Sequence, residues 1–150
     1  MNRIILFLDF DGVLHAPNCR AARLFEHLAR LEAVLRDFPE VGIVVSSSWR
    51  ERRTLSQLRE LFAVEMRERV LGSTPVVRFQ RELPHRGFEC TTWLAQNVPN
   101  APWLAIDDEA HLFAPVHRLL VCDPRVGFGE ERAAVLRTHL LEMRRIWARD

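Results

Sequence analysis

Apolar and polar positions alternate in two distinct rhythms along this chain. Four short runs are almost continuously apolar: IILFL at 4–8, VGIVV at 41–45, WLAI at 103–106 and RLLVC at 118–122. Such runs predict strands covered on both faces, as in a parallel sheet. A weaker run, RVLGS at 69–73, predicts a fifth. Between them the spacing changes to three and four residues. Leu24, Phe25, Leu28, Leu31 and Leu35 predict a helix that ends before Pro39. Leu55, Leu58, Leu61 and Phe62 predict a second, and Trp93 and Leu94 sit in a short third closed by Pro99. Leu136, Leu140, Met143 and Ile146 predict a C-terminal helix, preceded by Gly127 and Gly129. Strands alternating with helices imply an α/β fold with right-handed crossovers. The least regular stretch, 73–88, reads as a long loop or small insertion. No repeat or linker interrupts the pattern, so residues 1–150 are expected to form one domain.

The polar residues that end the apolar runs hold the chemistry, because ligands of open α/β sheets bind beyond the carboxyl ends of the strands. The first run ends in Asp9-Phe10-Asp11-Gly12, the second in Ser46-Ser47-Ser48-Trp49-Arg50, and the fourth in Asp107-Asp108. Arg81, His85 and Arg86 stand just before the Trp93 helix. Neighbouring carboxylates repel one another and are costly to bury, so a cation or a reaction is expected to offset them. Carboxylates with a backbone carbonyl are hard oxygen ligands, which suit Mg²⁺ and not zinc. An Asp nucleophile, a second carboxylate for proton transfer, a hydroxyl with backbone N–H groups, and an Arg clamp are the parts of a phosphoryl-transfer site.

Composition narrows the classes. Apolar residues are 48%, charged residues 27%, and the formal net charge is +1, which gives no global reason to expect nucleic acid or a membrane. The basic charge is carried by arginine, which favours planar contacts with phosphate or carboxylate. Cys19, Cys90 and Cys122 show no CxxC spacing, which argues for a reducing compartment and against a disulfide framework or zinc site. No stretch approaches the ~20 apolar residues of a membrane span, and no signal peptide is visible, so a cytoplasmic location is expected.

The motifs resemble those of the haloacid dehalogenase (HAD) superfamily of phosphatases and phosphotransferases. Its DxDG motif with a following apolar pair is matched by Asp9 to Leu14, its Ser/Thr motif within Ser46 to Ser48, its Lys/Arg motif best by Arg86, and its acidic pair by Asp107 and Asp108. SSSWRE (46–51), RGFECTTWL (86–94), AIDDEAHLF (105–113) and VCDPRVGF (121–128) resemble a cap-less branch whose members include HAD domains attached to RNA-repair proteins. That resemblance implies a Rossmann-like three-layer sandwich with a mostly parallel sheet in the order 3-2-1-4-5 and no full cap. It implies Asp9 as nucleophile and metal ligand, and Asp11 as general acid/base that offers its carbonyl to the metal. Asp107 would bind Mg²⁺ directly and Asp108 through water or by orienting its neighbours. Ser47 would hold phosphate, with Ser46 and Ser48 as alternatives, beside Gly12. Arg86 is favoured over Arg81 as the clamp by the Arg-Gly-x-Glu opening of a helix.

The expected function is that of a Mg²⁺-dependent phosphatase acting through an aspartyl phosphate. Its open site suits a bulky phosphomonoester such as a nucleic-acid end. The alternative is a non-catalytic HAD-fold module that binds phosphate or a partner. A receiver-type signalling domain is discounted, because its acidic pair would follow the first strand. Several residues have plainer readings. His85 reads as a loop histidine, Asp123 as a turn residue before Pro124, and Trp49 and Trp93 as packing between helix and sheet. His15 lies in a segment expected to fold over the site.

Overall fold

The computed structural model describes residues 3–77, 85–115 and 118–147. The five apolar runs form strands β1 (Ile4–Leu8), β2 (Val41–Val45), β3 (Val70–Ser73), β4 (Trp103–Asp107) and β5 (Leu119–Val121). They build one parallel sheet in the order β3-β2-β1-β4-β5. The Rossmann-like α/β architecture expected from the sequence is therefore present. Leu8 of β1 pairs with Val45 of β2 and Ile106 of β4. The residues that follow these three stand at one level, which brings Asp9, Ser46 and Asp107, the last residue of β4, to the same edge.

The alternation of a strand divides β1 between two cores. Ile4, Leu6 and Leu8 face one side, where they meet helices α1 (Leu28–Arg36), α2 (Leu55–Glu60) and α4 (Glu130–Trp147). Leu31 and Leu35, Leu58, and Leu136 and Leu140 are the fully buried leucines of those helices. Ile5 and Phe7 face the other side, packed on Cys90, Trp93 and Leu94 of α3 (His85–Asn97). Phe7 meets Trp93 and Trp103 edge-on, with ring centroids 5.9 and 5.5 Å apart. Every residue of β1 and β2 is buried, which explains their lack of polar positions. After β1 and β2 the chain builds turns and short helices, and among the described residues no second sheet lies over the strand ends.

Three expectations need correction. The first helix does not run from residue 24 but starts at Leu28. Phe25 adopts φ +58°, a strained conformation for a bulky residue that cannot be continued as a right-handed helix. Its ring meets Phe10, His15 and Trp49 instead, with centroids 5.4, 4.9 and 5.0 Å away. Aromatic packing over the end of β1 thus overrides the helical period. The helix over Leu55 stops at Glu60, and a 3₁₀ segment at Val64–Arg69 leads into β3. Finally, residues 85–88 are helical, so His85 and Arg86 occupy the first turn of α3 and not a loop. Asp123 is a turn residue, accepting backbone N–H groups from Val126 and Gly127 through its carbonyl.

Candidate active site

Parallel pairing of β1 with β4 places two acidic strand ends side by side. Carboxylate oxygens of Asp9, Asp107 and Asp108 lie within 4.8 Å of one another. Asp9 is 7% exposed and Asp107 1%. Burial pushes the Asp9 carboxyl well above the usual carboxylate range; the charge of Asp107 and a hydrogen bond with Asp108 add to this, and Arg86 opposes it. Burial also raises Asp107, to about 6, against the N–H of Glu109, which donates to its Oδ1 at 2.9 Å, and the charge of Arg86.

Gly12 makes this crowding possible. It sits at φ +82°, and a β-carbon there would lie 2.3 Å from Asp108 Oδ2. Only glycine combines that backbone angle with that clearance. Its N–H is donated to the His15 carbonyl at 2.8 Å, so its part here is to leave room for Asp108.

Asp11 stands apart from the other three. Its side chain is 42% exposed and is held by two donors. His15 Nε2 lies 2.8 Å from Oδ1, and Trp49 Nε1 donates to Oδ2 at 3.1 Å. His15 Nδ1 accepts the Phe25 N–H at 3.2 Å. A ring nitrogen that accepts carries no proton, so the proton of neutral His15 is on Nε2 and points at Asp11. His15, itself 1% exposed, therefore acts as an oriented donor. Trp49 was expected to pack between helix and sheet; its ring meets Phe10 and Phe25 in the segments beyond β1 instead, and its N–H reaches the site. Neither donor was legible in the sequence beyond the position of His15 in the flap, because both contacts belong to tertiary packing in which the Phe25 ring meets His15 and Trp49.

The serines differ from one another. Ser46 and Ser47 are fully buried and Ser48 is exposed. Ser46 Oγ has no hydrogen-bond partner. Ser47 Oγ accepts the Trp49 N–H at 3.3 Å and caps a 3₁₀ turn at Ser48–Glu51. A hydroxyl that accepts still has its own proton to donate.

Arg86 is aimed at the acidic group by a buried network. Its Nη1 donates to the Ser46 carbonyl and, at 3.3 Å, to Glu89 Oε1. Glu89 Oε2 accepts from Arg50 Nη2 at 2.9 Å, and the two side chains are 6% and 3% exposed. Arg50 also donates to the carbonyls of Ser46, Ser47, Thr74 and Pro75. Arg86 Nε is buried without a partner, 4.0 Å from Asp107 Oδ2, which also lacks one. Arg81, the alternative clamp, lies outside the described residues. Arg50 and Glu89 were not singled out from the sequence, although the Arg-Gly-x-Glu spacing contains the signal, since residues 86 and 89 share a helix face.

Residues 5–133 match the family model described as the HAD domain in Swiss Army Knife RNA repair proteins. The chain belongs to this HAD family. No curated protein and no solved structure matches it. Among the described residues no helix is long and apolar enough to cross a membrane.

HAD domains typically use Mg²⁺, and the residues present fit that ion. The donors are oxygens only, three carboxylates converge, and Asp107 Oδ2 is buried without a partner. A linkage follows for the protein freed of metal. Asp107 titrates at about 6 when folded and near 3.8 otherwise, so between these values the folded state binds the extra proton. Stability from this group is therefore lost as pH rises from about 4 through about 6. In EDTA, the melting temperature should be lower at pH 7.5 than at pH 5, and Asp107→Asn should flatten that slope. Mg²⁺ should raise the melting temperature more at pH 7.5 than at pH 5, because at pH 5 it competes with the proton. Calorimetric melts at both pH values check all three.

Proposed function

We propose that this protein is a Mg²⁺-dependent phosphatase that cleaves phosphomonoesters through an aspartyl phosphate on Asp9. The observation that carries this reading is the division of the strand-end carboxylates. Three converge around orphaned Asp107 Oδ2, while Asp11 is held separately by His15 and Trp49. Asp9, Asp107 and Asp108 would hold the metal, with the carbonyl of Asp11 as a further ligand. When bound, the metal supplies charge that keeps Asp9 ionised at neutral pH and screens the incoming phosphate.

The residues then divide the reaction. A carboxylate oxygen of Asp9 attacks phosphorus, forming one P–O bond as the bond to the leaving oxygen breaks. Asp11, protonated for this step, gives its proton to the leaving oxygen. The resulting carboxylate takes a proton from the water that next attacks phosphorus, which releases phosphate and restores Asp9. The hydroxyls of Ser47 and Ser46 and the unpartnered Nε of Arg86 are donors for the non-bridging oxygens. Among the described residues no second sheet lies over the strand ends, and the cleft beside Asp11 opens to solvent. An open site suits a large substrate, and the family to which the chain belongs makes a phosphorylated nucleic-acid end the first polymer to test.

Asp9→Asn is nearly isosteric and lacks the nucleophilic oxygen, so it should abolish Mg²⁺-dependent turnover of para-nitrophenyl phosphate while the far-UV spectrum stays native. More than a few per cent residual activity would sink the assignment of Asp9. If the wild type itself shows no turnover in Mg²⁺, the chain is a phosphate- or partner-binding module.

Arg86→Ala should lower kcat by on the order of 10²-fold, since the guanidinium stabilises charge that grows in the transition state. Arg86→Lys should recover part of the loss, without the planar fork. Saturation kinetics on both variants, with Arg81→Ala beside them, assign the clamp. A crippled Arg81→Ala with a healthy Arg86→Ala moves it to Arg81.

The donors to Asp11 generate a leaving-group test. Trp49→Phe keeps the ring and removes the N–H. An alkyl leaving group needs the proton from Asp11, whereas para-nitrophenolate does not. Trp49→Phe should therefore slow hydrolysis of glycerol 2-phosphate by about tenfold, a fraction of what a whole general acid contributes, and that of para-nitrophenyl phosphate less. Equal losses on the two substrates would make Trp49 a packing residue only.

A further inference from the structure

Arg50, Arg52 and Arg53 lie almost together in the sequence and have different fates. Arg50 is spent on buried carbonyls and Glu89. Arg52 and Arg53 are exposed and have no carboxylate partner among the described residues. Both line an open cleft of about 620 Å³ whose other walls include Trp49, Ser48 and Gln57. Asp11 also lines it, whereas Asp9, Asp107 and Asp108 do not. The Arg53 guanidinium rests over the Trp49 ring, 4.5 Å from its centroid, so it is held in place without losing its charge to a counter-ion. Glu51 is the acidic residue of the wall other than Asp11, and it stands near enough to buried Arg50 to favour that residue's charge.

Position relative to the reaction gives the cleft its meaning. In an in-line displacement by Asp9 the leaving oxygen departs away from Asp9 and towards its proton donor. Asp11 is the residue common to the acidic group's loop and the cleft. The leaving group therefore lies in the cleft, which falls in the size range of small-molecule sites. Two unpaired guanidiniums there are suited to paired hydrogen bonds with the oxygens of a phosphate group. A leaving group that is neutral leaves them unused.

We infer that the cleft lined by Asp11, Trp49, Arg52 and Arg53 is a leaving-group subsite, and that it selects phosphomonoesters whose leaving group carries a second phosphate. This rests on the phosphatase reading for its orientation. It adds a substrate class, set by Arg52 and Arg53, that the acidic group alone does not define. The second phosphate comes either from a small bisphosphate or from the neighbouring phosphodiester of a polynucleotide end.

The test compares three substrates that present the same 5′-phosphate. They are a nucleoside 5′-monophosphate, the 3′,5′-bisphosphate of that nucleoside, and a short 5′-phosphorylated oligonucleotide. The wild type should favour the bisphosphate over the monophosphate in kcat/KM by about tenfold or more, the scale of one or two charge-assisted hydrogen bonds. The Arg52→Ala/Arg53→Ala double variant should bring that ratio close to one. The charge-matched control Arg36→Ala/Arg145→Ala, on the exposed faces of α1 and α4, should keep the wild-type ratio. A gain for the oligonucleotide over the bisphosphate assigns the subsite to a polymer end, and a preference for the bisphosphate assigns it to a small molecule. A ratio unchanged in the double variant, or lowered equally by the control, overturns the subsite while the phosphatase reading stands. If no substrate is turned over, the phosphatase reading falls and titration calorimetry decides the subsite on its own. The bisphosphate should bind Asp9→Asn protein about tenfold more tightly than the same protein also carrying Arg52→Ala/Arg53→Ala, and equal affinities overturn the proposal.

Discussion

Repulsion among three carboxylates at one sheet edge is the constraint on which the rest of the structure turns. Asp9 and Asp107 share that edge because β1 and β4 are parallel neighbours in matched register. Asp108 follows Asp107, and its approach is possible because residue 12 has no side chain. An alanine at Gly12 would strain the backbone and collide with the carboxylate at the same time, so the fold has no inexpensive route to relax the crowding. Instead the pKa values of Asp9 and Asp107 rise, which marks a site that lacks positive charge in its metal-free form. Arg86 supplies part of that charge from 4.0 Å, too far for a hydrogen bond. A divalent cation would supply the remainder.

Holding Arg86 there without collapsing it onto Asp107 is a separate problem. A free guanidinium beside a buried carboxylate would close to a bidentate pair and leave nothing for a ligand. Glu89 and the Ser46 carbonyl prevent this by engaging Nη1 from behind. Glu89 is in turn fixed by Arg50, whose remaining donors are used by four backbone carbonyls at the ends of β2 and β3. Burying such an ion chain gains little net stability, and breaking it at one member costs far more. Its value here is geometric: it connects Ser46 and Ser47, Arg86 and the acidic group through one buried network.

How much of this the sequence reveals depends on whether the signal is local. Strand ends are local: an apolar run followed by Asp or Ser marks both the sheet and the site, and Asp9, Ser46 and Asp107 all stand at such ends. The sheet order followed from the family resemblance, with β1 central so that Asp9 and Asp107 become neighbours. The start of α1 was not local. Leu24 and Phe25 fit the helical period, and only the packing of Phe25 on Phe10, His15 and Trp49 shows why the chain breaks there. The same break supplies the backbone N–H that fixes the proton of His15. The donors to Asp11 were hidden for that reason, while Asp11 itself was plain. Likewise nothing local in Arg50-Glu51-Arg52-Arg53 sets Arg50 apart, and its burial against residues from 74 to 89 is a tertiary fact.

The two aspartates of the first loop thus face opposite physical environments, and this separation suits the two roles that the proposed reaction gives them. Asp9 is buried among like charges, where a carboxylate's charge depends on a cation. Asp11 points to an open cleft, held by two neutral N–H donors and surrounded by arginines free to meet a ligand. A nucleophile must be charged at the moment of attack, and a general acid must be able to exchange its proton with solvent between steps. Burial among carboxylates ties the first requirement to metal occupancy, and exposure meets the second. In a continued strand residues 9 and 11 would share one face; because β1 ends at Leu8 and the chain turns at Gly12, Asp11 is carried out to the cleft instead.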